Sequence, residues 1–374
     1  MKKTARYAEW LVEPLPPDVR QALDRLGRAP DVEHIVVLPD VHLSHEVCVG
    51  TVVATAHSLY PAAVGGDIGC GMAAVGFDLE ADVLDDAATA ARILAGLEAR
   101  IPILRRMEPL PLPGTVGTRT LSSPALENAR RREGGHQLGT LGRGNHFVEL
   151  QSDEEGRLWV MVHSGSRSLG QSIRAHHERR GERVTGGLRR LVADSDEGRA
   201  YLRDLEWALG YAQANRAVLL AEVQAVLRRE VDARPLEGST IQCHHNFVRR
   251  ELHGTQLWVH RKGAISAREE EPGILPGSMG TSSCHVVGRG SPRSLCSSSH
   301  GAGRRMARGE ARRIIGRRDV ERQMRGVWFD HRKTDRLRDE APAAYKDLDA
   351  VLRAQRELTR SCRRLWPLLS YKGA

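Results

Sequence analysis

The sequence predicts an α+β fold: one composite domain over residues 1–374, with central β-structure and a helical insertion at about 171–230. Three observations lead there. Short apolar runs of strand length recur along the chain, bounded by glycine, proline and aspartate. The stretch Gln171–Glu230 repeats Arg, Ala and Leu and has helical composition. No internal repeat, low-complexity tract or linker divides the 374 residues, a length that supplies a large core for one domain or two.

Taken in order, Pro17–Leu26 reads as a helix and His34–Leu38 as a buried strand ended by Pro39-Asp40. The apolar runs Val49–Ala56 and Ala73–Phe77 flank a glycine-rich stretch, Gly65–Met72. Asp85–Leu97 has helical composition. Pro109–Glu133, rich in Pro, Gly, Thr and Ser, reads as a long loop. Strands are expected at Phe147–Leu150, Leu158–His163 and Gln256–His260, the last two on either side of the helical insertion. The C-terminal part reads as helical up to Ser370-Tyr371-Lys372-Gly373.

Charge narrows the partner class. The formal net charge is +9, which favours a polyanion, because Lys and Arg release counterions when they meet phosphates. The excess is uneven: Gly301–Glu340 holds thirteen Lys and Arg against seven Asp and Glu, a net of +6. The plain alternative for that run is a solvated arginine-rich surface. Aromatic residues are only 4% of the chain, which argues against RRM-like or OB-like stacking platforms. The six cysteines show no CxxC spacing, and no apolar run approaches the roughly 18 residues of a membrane span. A cytoplasmic location with reduced thiols, away from membranes, is the expectation.

Two groups of residues could carry chemistry. Asp67, Cys70, His146, His163 and the pair His244-His245 sit in glycine-rich turns or at strand ends. A carboxylate, a thiolate and imidazoles suit a borderline divalent ion such as Mn²⁺, Fe²⁺ or Zn²⁺, and a cysteine can bridge two ions. Taken singly, each histidine is more often a satisfied core or surface residue, and no HxxxH or HExxH spacing lifts any of them. The second group is two small-residue loops, Pro276–Ser283 and Ser297–Arg305, whose amides and hydroxyls suit phosphate oxygens. Neither is a Walker A loop. Residues and spacing therefore point to a metal, a phosphate and a polyanion, and no further.

Longer strings resolve more. PDVH (39–42), AVGGDIGCGM (63–72), LGTLGRGNHFVEL (138–150), HSGSRSLG (163–170) and CHHNFV (243–248) occur in that order. VHRKGA (259–264), PGSMGTSS (276–283), HGAGR (300–304) and YKG (371–373) follow. Together they resemble the successive signatures of the RtcB family of RNA ligases. The resemblance implies a deep metal and nucleotide cleft holding two Mn²⁺ ions. Cys70 would bridge them, with Asp67 and His146 on one ion and His163 and His245 on the other. His300 would be the catalytic nucleophile that takes GMP from GTP. Asn145, Phe147, Glu149, Ser278, Ser283, Arg304 and Lys372 match guanylate-contacting positions, as does His300 itself, and Arg167 matches an RNA-phosphate contact. His244 neighbours a ligand, and the His-Asn pair favours His245.

The activity so implied is the joining of RNA 3′-phosphate or 2′,3′-cyclic phosphate ends to 5′-hydroxyl ends through a histidine–GMP adduct. DNA 3′-phosphates as substrates and an archease activator as partner are left open by the resemblance. Two departures stand out: Leu43-Ser44-His45-Glu46 replaces the family's glycine-containing turn and offers His45 as an extra ligand, and Ser168 stands where glycine is common. The rival readings are a metal-dependent end-processing phosphoesterase that needs no His300, a DNA 3′-phosphate capping enzyme, and a non-catalytic basic RNA binder.

Overall fold

The structure, a computed structural model, describes residues 5–373. Its architecture is mixed α/β. Among the described residues, a seven-stranded sheet runs in the order Ile241–His244, Gly71–Glu80, Arg157–Ser164, Phe147–Asp153, Thr359–Lys372, Ser283–Gly288, Pro272–Leu275, with every pairing antiparallel. A five-stranded sheet runs Arg6–Glu9, Val32–His42, Val49–Thr55, Thr255–Lys262, Asn246–His253, in which only the first pairing is parallel. No helix among the described residues is long and apolar enough to cross a membrane.

Strand alternation divides the larger sheet into two faces with different tasks. On one face Ala73, Val75, Phe77, Val148, Leu150, Leu158, Val160 and Val162 form the main core with Leu369 and Tyr371. Helices Ala87–Arg100 and Asp196–Val231 cover that face, inserting Ile93, Leu97, Leu219, Val223, Val226 and Leu227. Asp86 caps the first of these helices by accepting from the Thr89 amide, and Ser195 caps the second through the Gly198 amide. Residues of the opposite parity, among them Phe147, Glu149, His163 and Lys372, are left for the other face. Ile93 is fully buried, so Ile93→Ala is expected to cost about 3 kcal/mol through lost burial and a residual cavity, read as a lower midpoint in urea unfolding.

Three expectations are corrected here. Pro109–Glu133 is not one long loop, because helices occupy Gly114–Thr118 and Pro124–Gln137. Ser123 caps the second by accepting from the Leu126 amide, and Pro124 opens it, so the composition that suggested a loop marks a helix start. The segment 171–230 is not one helical insertion. A helix over Arg167–Arg180 and the 36-residue helix Asp196–Val231 are separated by a small hairpin, Glu182–Arg183 with Arg189–Val192. Gly186 and Gly187 turn that hairpin with φ of 85° and 80°, a conformation open to glycine.

The C-terminal part is the third correction: its last element is a 14-residue strand, Thr359–Lys372, in the interior of the seven-stranded sheet. Pro367 is tolerated because the ladder is irregular between it and Leu369. That irregularity also changes the facing of the strand. Leu365 packs with Met72, Ala74, Trp159 and Met161, whereas Leu369 joins the opposite core. Lys372 is thereby delivered to the functional face.

Candidate metal centre and nucleotide pocket

Register builds the site. Across the seven-stranded sheet Lys372 pairs with Phe147, Phe147 with His163, His163 with Met72, and Met72 with Cys243. Of this row, Met72, Phe147, His163 and Lys372 form part of the wall of a cavity of about 700 Å³. The same cavity is lined by Asp67, Cys70, Asn145, Glu149, His245, Ser278, Ser283, His300 and Arg304. The structure thus gathers every nominated site residue there except His146 and Arg167, which lie directly behind Cys70 in the contact network.

Cys70 follows a turn in which Gly69 adopts φ +70°, and a Cβ at Gly71 would lie 2.1 Å from the Cys243 carbonyl oxygen. The chain can thus fold the thiol inward against two strands. Cys70 Sγ lies 3.3 Å from His146 Nε2 and 3.2 Å from His163 Nε2, and His163 Nε2 lies 3.0 Å from His245 Nε2. Cys70, His163 and His245 are buried, and their ligating atoms all lie within 4.8 Å of one another.

The backbone prepares this set. His163 Nδ1 donates to the Asn145 carbonyl at 2.9 Å, leaving the Nε2 lone pair directed at the cluster. Burial lowers the His163 pKa to about 3 and those of His146 and His245 well below the usual value, so all three rings are neutral near pH 7. Burial, reinforced by Asp67, pushes the Cys70 thiol up. A bound cation would reverse that preference by stabilising the thiolate. Converging lone pairs with little else to satisfy them fit a divalent metal ion. Asp67 lines the cavity but lies outside the tight cluster, and so does His45.

His146 is more restricted. Its Nδ1 lies 3.2 Å from the Arg167 guanidinium, which also reaches Thr140 Oγ1 and the Ile103 carbonyl. A neutral ring that accepts from Arg167 at Nδ1 carries its proton on Nε2, so ligation through Nε2 requires Arg167 to let go. His244 turns elsewhere: its Nδ1 lies 3.0 Å from the Gly69 carbonyl oxygen and 3.2 Å from Nη2 of the fully buried Arg216. Arg216 also donates to the Gly69 and Ser164 carbonyls, tying the long helix to both loops that carry the cluster. Ser168 donates through its amide and hydroxyl to Gln137 Oε1, so this departure makes a helix-start contact away from the cluster.

The His300 ring packs 4.7 Å from that of His245. Its Nδ1 lies 2.6 Å from Asp40 Oδ2, and the same oxygen accepts from the His300 amide at 3.1 Å. Asp40 is fully buried, and held this way it fixes the Nδ1–H tautomer and leaves Nε2 free as a nucleophile. A Cβ at Gly303 (φ +72°) would lie 2.5 Å from the Asp40 carbonyl oxygen, so glycine is required for this approach. Lys346 Nζ donates to the carbonyls of Pro39 and Val41 on either side of Asp40.

At the far end Glu340, itself buried, accepts from Lys372 at 2.8 Å, Arg308 at 2.6 Å, Arg304 at 3.3 Å and the Tyr345 hydroxyl at 2.8 Å. Burial alone would raise the Glu340 pKa, but these cations outweigh it and hold the group at about 2. Glu149, buried without a comparable partner, is raised to about 8 and so carries its proton near pH 7. Lys372 also sits 5.3 Å from the centroid of the Phe147 ring. Asp40, Glu340 and Tyr345 were not singled out from sequence. Asp40 lies inside the PDVH string, where its place two residues before a histidine was the available signal.

Fold and site define a protein with a candidate metal centre on the floor of a pocket lined by small-residue loops and a histidine–aspartate pair. The chain belongs to the RtcB family: the family model described as tRNA-splicing ligase RtcB matches residues 23–112 and 113–373. It is 36% identical over 402 residues to RNA-splicing ligase RtcB1 of Escherichia coli strain ATCC 25922, covering 96% of this chain and 95% of the relative. It is 35% identical to RNA-splicing ligase RtcB of Escherichia coli strain K12 with the same coverage. With tRNA-splicing ligase RtcB of Nanoarchaeum equitans it shares 32% identity, over 67% of this chain and 63% of that one.

Proposed function

We propose that this protein is a GTP- and Mn²⁺-dependent RNA ligase that joins 3′-phosphate or 2′,3′-cyclic phosphate ends to 5′-hydroxyl ends through a guanylylated His300. The observation that carries this reading is the His300–Asp40 pair, set beside the Cys70–His163–His245 cluster in one cavity. An end-processing phosphoesterase would need the metal ions but not His300.

Cys70, His163 and His245, joined by Asp67 and His146, would hold the two ions, whose chemistry is to neutralise phosphate oxygens and leaving groups. His300 Nε2 attacks the α-phosphorus of GTP. An N–P bond forms, pyrophosphate leaves, and Asp40 stabilises the cationic ring. Lys372, Arg304 and the proton-bearing Glu149 line the nucleotide end, with Ser278 and Ser283 on the small-residue loop. An RNA 3′-phosphate oxygen then takes GMP from His300, and a 5′-hydroxyl displaces GMP from the activated end. Arg167 would have to be released from His146 to meet an RNA phosphate. The direct test is an RNA strand with 3′-phosphate and 5′-hydroxyl ends incubated with GTP and Mn²⁺; circularised or joined product is expected, and dephosphorylated RNA alone would support end processing.

The basic run 301–340 divides in the structure. Arg304, Arg308 and Arg312 pair with Asp339 or Glu340, and Arg317, Arg322 and Arg332 with other carboxylates. Arg305, Arg313 and Arg318 are exposed, with no ion pair among the described residues. A triple Arg→Gln variant at these three is expected to weaken RNA binding and flatten its log–log salt slope by about one unit per lost phosphate contact, less for single strands. Protein–GMP formation should be unchanged. An unaltered slope in filter binding would assign the run to a solvated surface.

A further inference from the structure

We propose that His42 is a further catalytic residue, the group that accepts the proton of the attacking 5′-hydroxyl in the sealing step; this rests on the RNA-ligase reading above. Asp40 and His42 are two residues apart at the end of the strand Val32–His42, where its pairing with Val49–Thr55 becomes irregular. Asp40 reaches His300, and His42 lines the same cavity. One residue therefore orients two imidazoles, His300 through its carboxylate and His42 through its carbonyl.

The His42 contact is with Nδ1, 2.9 Å from the Asp40 carbonyl oxygen. A carbonyl only accepts, so Nδ1 carries the proton and Nε2 presents a lone pair. Among the described residues Nε2 has no hydrogen-bond partner, and His42 is not in the metal-ligand cluster. Burial lowers its pKa to about 4, which keeps the ring neutral at working pH. Anionic RNA and guanylate phosphates beside it raise its affinity for a proton as the reaction proceeds.

Other groups in the cavity suit the task less well. Glu149 already carries its proton, since burial raises it to about 8. Lys262, lowered to about 8 by burial, remains largely cationic near pH 7. Asp67 is committed to the metal ions in the proposed function. In an in-line displacement the attacking oxygen lies opposite the departing GMP, whereas His300 stays beside the phosphorus it has just released.

The step balances without another reactant. The hydroxyl O–H bond breaks and its proton passes to His42 Nε2. The O–P bond to the RNA 3′-phosphorus forms as the P–O bond to GMP breaks, and GMP leaves with the electron pair. The imidazolium then returns its proton to water.

The test uses the full chain with His42→Asn and His42→Gln. Asparagine keeps a short donor near the Asp40 carbonyl, glutamine places an amide near the Nε2 position, and neither can take up a proton. Bound Mn²⁺ and the yield of protein–GMP are expected within about twofold of the unaltered chain. Single-turnover sealing of RNA supplied with a ready-made 3′-guanylylated end should fall by about 100-fold or more, with the activated RNA persisting. Sealing at the unaltered rate in both variants would overturn the proposal. So would a parallel fall of protein–GMP and sealing in both, which would make His42 a structural support for Asp40. Absence of protein–GMP in the unaltered chain would instead count against the RNA-ligase reading itself.

Discussion

His300→Ala is expected to reduce protein–GMP formation from labelled GTP to background, a loss of about 1000-fold or more, while bound metal stays near the level of the unaltered chain. The proposed nucleophile is the part of the site that the substitution removes. Its ring packs on His245 but is not in the metal-ligand cluster, so the Cys70–His163–His245 donors stay in place. Removing the ring leaves the buried Asp40 carboxylate with the His300 amide as its remaining contact from that residue. A modest loss of thermal stability should therefore accompany the loss of labelling. The adduct of the unaltered chain should be labile to acid and stable to base, as a phosphoramidate is. Undiminished labelling in the variant would remove His300 from the mechanism.

Cys70→Ala is expected to produce the largest loss of bound Mn²⁺ of any single ligand change, more than about 100-fold in affinity. Three distances explain why this side chain outweighs each imidazole. Its sulfur lies 3.3 Å from His146 and 3.2 Å from His163, whereas His245 reaches the cluster through His163 at 3.0 Å. Removing the thiol disconnects the two sides, while removing one histidine leaves the other side standing. Without metal the variant avoids burying a thiol beside Asp67, so its apo form should fold. The rise in melting temperature that Mn²⁺ confers on the unaltered chain should vanish in the variant. Metal analysis that still finds two ions bound would end the bridging role.

Much of the site was legible because its residues occur in distinctive strings. Asp67 and Cys70 in AVGGDIGCGM, His146 in GRGNHF, His163 in HSGSRSLG and His300 in HGAGR were each named from the chain alone. Carboxylates without such company were not. Glu340 stands in a run of arginines and reads as a surface acid, yet the fold buries it beneath Lys372, Arg308 and Arg304. Apolar strands such as Leu158–His163 are also readable, since a short apolar run containing β-branched valines is visible without context. The C-terminal strand reads as a helix because of its arginine-rich composition, and its pairing partners lie about 70 to 225 residues away in sequence.

By itself, then, the sequence determined the chemical inventory: a thiol, imidazoles and carboxylates for a metal, small loops for phosphate, and a basic excess for a polyanion. It also distinguished the His244-His245 pair by its asparagine neighbour, and the structure places His245 in the cluster while Arg216 holds His244 away. Only the tertiary structure decided which atoms meet. Cross-strand register sets Lys372, Phe147 and His163 in one row, and the irregularity at Pro367 turns Lys372 to the functional face. Asp40 becomes the support of His300 only when strand Val32–His42 is brought against the 300–303 turn. The physical reason is that residue type is a local property, whereas tautomer, burial and ligand geometry arise from neighbours that the chain separates by hundreds of residues.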